Sequence, residues 1–136
     1  MDRSLIRDSN GTNLGEAKLC ALRLAHDVGK YLARTARNLP DAEIPEVLVS
    51  LLFKDLFELM PGKSSLRVFE ELANPLYQAW PDPRLKQCRG LLEAIEKLKD
   101  AVRDADDRAV RRAAEMALQV ESLLLDIVKD LSEASP

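Results

Sequence analysis

Apolar residues in the first third of the chain return at intervals of three and four. With 100° advanced per residue, Leu14, Ala17, Leu24, Ala25, Val28, Leu32, Thr35 and Leu39 fall within roughly 60° of Ala21, which predicts an amphipathic helix with one core-facing stripe. Asn13 followed three residues later by Glu16 reads as a capping box. The helix is therefore expected to begin there, after an irregular tail over residues 1–12, and to run to about Asn38, where Pro40 stops it. Pro45, at a first helical position, opens a second helix through Met60 that carries Val47, Leu48, Leu51, Leu52, Leu56 and Leu59, and Pro61-Gly62 closes it. Ser64 or Ser65 caps a third helix with Leu66, Val68, Phe69 and Leu72. Pro75 lacks an amide donor and clashes with the preceding turn. It is expected to break or kink that helix, leaving residues 75–80 as a short separate turn anchored by Trp80.

Asp82-Pro83 is a cap and first-position pair for a fourth helix, with Leu85, Cys88, Leu92, Ile95, Leu98 and Val102 along one side. Beyond it, Val110, Ala113, Ala117, Val120, Leu124, Ile127 and Leu131 alternate steps of three and four, the seam of a helix packed nearly antiparallel on a neighbour. The break at Asp104 to Asp107 holds no Gly or Pro, so a single long coiled-coil helix is the alternative to a hairpin. Asp106 as an N-cap favours the turn. No segment alternates like a strand. The expected fold is all-α, a four- to five-helix bundle with a C-terminal antiparallel helical hairpin, in one domain over residues 1–136.

Composition narrows the function classes. A net charge of -3 and the lack of Arg/Lys runs interleaved with aromatics argue against nucleic acid as a partner. No apolar run approaches the roughly 20 residues of a membrane span, and the start, Met1-Asp2-Arg3-Ser4-Leu5, lacks the apolar stretch of a signal peptide. Cys20 and Cys88 stand in no metal-ligand spacing. The expected location is the cytoplasm, with no membrane partner. Gly-rich phosphate loops, G-x-S-x-G and Cys-x-x-Cys are all missing, so neither kinase activity nor a cofactor is expected.

The candidate chemistry centres on the chain's single histidine. His26 falls about 140° from Ala21 on the helical wheel, off the core stripe, with Leu19, Leu22, Gly29, Lys30, Ala33 and Arg37 around it. Tyr31, at about 280°, reads as a flanking packing residue.

The string His26-Asp27-Val28-Gly29-Lys30 resembles the H-D-I/V-G-K signature of the all-helical HD-domain phosphohydrolases, in which the His-Asp pair helps to bind metal. That family also uses an upstream histidine, and residues 1–25 contain none, so this resemblance implies a degenerate member without a metal site. Ala25-His26-Asp27-Val28-Gly29-Lys30 also resembles the phosphoacceptor helix of two-component signalling, whose phosphotransfer bundles carry A-H-x-x-K-G; here Gly and Lys stand in reversed order. Kinase phosphoacceptor helices often place an acidic residue directly after the histidine, as Asp27 stands here. This second resemblance implies His26 as phosphoacceptor, Lys30 compensating phosphoryl charge and Asp27 orienting the ring by bending back or through water. Leu19, Leu22, Arg23, Gly29, Ala33, Arg34 and Arg37 would form the surface for a partner, a response-regulator receiver domain or a histidine kinase. A helical interaction or scaffold module, monomeric or homodimeric, is the competing expectation.

Overall fold

The computed structural model describes residues 9–59 and 62–134. Among them are seven α-helical segments: α1 (Ser9–Leu24), α2 (Tyr31–Ala36), α3 (Glu46–Phe57), α4 (Ser65–Ala79), α5 (Pro83–Lys97), α6 (Lys99–Arg103) and α7 (Asp107–Glu133). A π-helical turn, Ala25–Lys30, joins α1 to α2 without interrupting the rod. The segments form four rods that run up, down, up and down. At one end α1, α4, α5 and the C-terminal half of α7 close a ring; at the other, α2, α3, α6 and the N-terminal half of α7 close a second ring on top of it.

The helix starts follow the side chains at hand. Ser64 accepts the amide of Arg67 at 3.2 Å, Asp82 that of Arg84 at 2.9 Å with Pro83 in the first turn, and Asp106 that of Ala109 at 3.1 Å. Each satisfies an amide that has no intrahelical acceptor. The final hairpin is antiparallel, since Arg84 reaches Asp130 at 2.7 Å while the Cys88 thiol faces the Val120 carbonyl. All seven seam residues of α7 are buried. The Arg84 guanidinium also holds the buried Asp82 carboxyl below its usual range, and the Trp80 indole adds a hydrogen bond to the same group. Burial pushes the Cys88 thiol up to about 12.

Several expected boundaries differ. The first helix begins by Ser9, upstream of the Asn13 capping box, and residues 1–8 of the anticipated tail lie outside the described residues. Pro45 is the N-cap of α3 and Glu46 its first residue. That helix ends at Phe57, short of Met60, and Met60 and Pro61 lie outside the described residues. Val47 and Leu51 of α3 face outward, while Val49, Leu52 and Leu56 supply its inner face. Pro75 does not break α4. It and Glu71, one turn earlier, are both exposed, so the carbonyl deprived of a donor lies on the outer side, while Val68, Phe69, Ala73 and Leu76 hold the inner face together. The helix expected over residues 83–102 divides at Leu98, whose amide turns back tightly to the Ile95 carbonyl at 2.9 Å. The break before α7 is a turn carried by Ala105 at φ 59°, with the Asp106 amide closing on the Ala101 carbonyl at 3.0 Å.

Candidate functional site

His26 sits in the π turn, and the geometry around it follows from that one irregularity. A π turn accommodates one residue more than an α turn, so everything after it is rotated back by about one residue, or about 100°. In an uninterrupted helix, residue i+5 lies about 140° away from residue i. Here Tyr31 stands one turn above His26: the two ring centroids are 6.2 Å apart and the planes meet at 87°, an edge-to-face pair. The same rotation turns Ala33 into the core, while Leu32 and Thr35 stay buried beside it.

The imidazole itself is on the surface, its side chain 62% exposed. Its Nδ1 lies 2.8 Å from Asp27 Oδ1, and the second carboxylate oxygen of Asp27 accepts from Arg23 Nε at 3.3 Å. An ionised carboxylate only accepts hydrogen bonds, so the partnered ring nitrogen is the protonated one and donates. In the neutral ring that leaves the lone pair on Nε2. Exposed pairs of this kind add only about 0.2–1 kcal/mol; their effect is to orient the ring. Asp27 therefore reaches back to His26 directly, without a bridging water.

The anticipated partner surface divides. Leu19 and Leu22 are open to solvent, at 69% and 53% exposure, and Lys30 is exposed in the π turn with no ion pair among the described residues. Arg23, Arg34 and Arg37 each hold a carboxylate of this chain: Asp27, Asp55 and Glu121. Gly29 and Ala33 are buried and unavailable to a partner. A Cβ on Gly29 would lie 3.3 Å from both Glu121 Cα and Leu124 Cδ1, so its missing side chain lets the π turn press against α7. Its role is internal packing, where the wheel had placed it beside an incoming partner.

Three residues outside that expected set, Tyr31, Asp55 and Thr35, complete the neighbourhood. Tyr31 lies under the Arg34 guanidinium, whose carbon is 5.1 Å from the ring centroid. Arg34 in turn grips Asp55 of α3 through both Nε and Nη2, and Thr35 donates its hydroxyl to the same carboxylate, which is only 3% exposed. Asp55 raises the Arg34 pKa, chiefly through that hydrogen bond. The sequence carries no signal for this arrangement, since the interval of four in Ala25, Gly29 and Ala33 also runs through Ala17 and Ala21 of the regular α1.

Among the described residues no three His, Cys, Asp or Glu side chains come together as a metal site, and no helix is long and apolar enough to cross a membrane. Comparisons with protein families, with curated proteins and with solved structures find no match to the chain.

Proposed function

We propose that the chain is a phosphoacceptor of two-component type, taking a phosphoryl group on His26 from a receiver-domain or histidine-kinase partner, or docking such a partner through the same surface. The observation that carries this reading is the exposed imidazole with Nδ1 held by Asp27 at 2.8 Å. With the proton on Nδ1, the Nε2 lone pair attacks the phosphorus of the partner's aspartyl phosphate. The new N–P bond forms as the P–O bond to the partner's carboxylate breaks, and that carboxylate leaves as an anion. No proton has to move, because the positive charge that develops on the ring is met by the Asp27 carboxylate. Lys30, one turn along, supplies a cation for the phosphoryl oxygens. Leu19 and Leu22 supply apolar contact for docking. The reading places the protein in the cytoplasm with such partners.

Incubation with a phosphorylated receiver domain tests it. The chain should gain one acid-labile, base-stable phosphoryl group, and His26→Gln should abolish the gain with the fold kept. Lys30→Ala should slow transfer by about tenfold, the equivalent of about 1.4 kcal/mol. Phosphoryl incorporation that persists in His26→Gln would end this reading.

A second reading, a helical interaction module, is favoured by a groove of about 550 Å³ between α4 and α5. Phe69, Ala73 and Leu85 form its floor, and the Glu70–Arg89 ion pair is on its rim. Capture of partners that survives His26→Gln but is lost on filling this groove would support it.

A further inference from the structure

We propose that Tyr31 is a positioning residue for the His26 imidazole, held in place by Arg34, which is anchored on the buried Asp55. The inference rests on His26 being the reactive group of the phosphotransfer reading. An exposed imidazole turns about two side-chain bonds, and one hydrogen bond at Nδ1 fixes only one edge of the ring. The Tyr31 ring, perpendicular to it at 6.2 Å, adds a second contact that restricts the swing. Two contacts define the direction in which Nε2 points better than one, and a nucleophile delivered in one direction reacts faster than one that searches for it.

Tyr31 can do this only if it is itself held, because it too is partly exposed. Arg34 packs over its ring at 5.1 Å. The guanidinium is held by two hydrogen bonds to Asp55, and the Thr35 hydroxyl donates to the same Oδ2 that accepts Arg34 Nε. The line of contact thus runs from a buried carboxylate on α3 through Arg34 and Tyr31 to the reactive ring. The π turn is what brings its last two members onto one face.

Because the chain has one histidine, its imidazole gives a single set of nitrogen and ring-proton signals. The test combines that spectrum with the rate at which phosphoramidate, a small donor that needs no protein partner, phosphorylates His26. In that reaction Nε2 bonds to phosphorus as the P–N bond to the departing ammonia breaks. Tyr31→Phe keeps the aromatic edge and should match the native protein in tautomer signature and, within about twofold, in rate. Tyr31→Ala and Tyr31→Leu remove the edge. They should shift the signature away from the Nδ1–H form and slow phosphorylation by about three- to tenfold, an effect of about 0.6–1.4 kcal/mol in the barrier. Melting temperatures should stay within about 4 °C, as expected for a surface change. An unchanged signature and rate in both Tyr31→Ala and Tyr31→Leu would overturn the proposal. The two readings fail separately: native protein that refuses a receiver's phosphoryl group while these variants still lose the Nδ1–H signature removes the phosphotransfer reading and leaves Tyr31 in its role.

Discussion

The first rod of the bundle and the last lie against each other, yet they are built differently. The last, α7, holds one helical period from Asp107 to Glu133, and each of its seam residues from Val110 to Leu131 is buried. The first changes period at Ala25–Lys30, and the surface before the turn continues on a different set of residues after it. A regular helix makes a good wall, since over three heptads its apolar stripe drifts by only about 60°. The π turn in the first rod brings Tyr31, with Arg34 one turn beyond it, onto the face of His26, from which a regular helix sets Tyr31 about 140° away. The two rods are matched where they touch, because Gly29 has no side chain to meet the straight backbone of α7 at Glu121.

That contrast can be attacked first at the contact. Gly29→Val places branched carbon where even a Cβ is already tight against the α7 backbone. Urea unfolding should show a loss of about 1–3 kcal/mol, the range for overpacking, with Gly29→Ala losing less. Stability equal to the native protein would mean that the π turn does not press on α7. A smaller effect of opposite sign is expected where α7 begins. Ala105 holds a positive φ that favours glycine, so Ala105→Gly should stabilise by about 0.5–1 kcal/mol in the same measurement.

The straight rod was the legible one. Heptad spacing in Val110 to Leu131 is enough to place its buried face, and Asp82-Pro83 and Asp106 mark helix starts because capping is local chemistry. The turn at Ala105 was ambiguous because its left-handed residue is not glycine, and α4 ran on because its inner face outweighs the donor that Pro75 lacks. In the first rod the histidine stood out, but its neighbours did not. A wheel with a fixed 100° step puts Gly29 and Ala33 beside His26 and sends Tyr31 away; one inserted residue exchanges them. Asp55 was out of reach for a different reason, since it comes from α3 and only tertiary packing brings it to Arg34.

A π turn sets Tyr31 against His26, and a nuclear Overhauser spectrum of the native protein reads that contact. Cross-peaks between the ring protons of the single histidine and those of Tyr31 are predicted, as edge-to-face rings with centroids 6.2 Å apart bring protons within detection range. A regular α-helix through residues 25–30 would separate the two side chains by about 140° around the axis. Absence of those cross-peaks would show that the two rings do not meet.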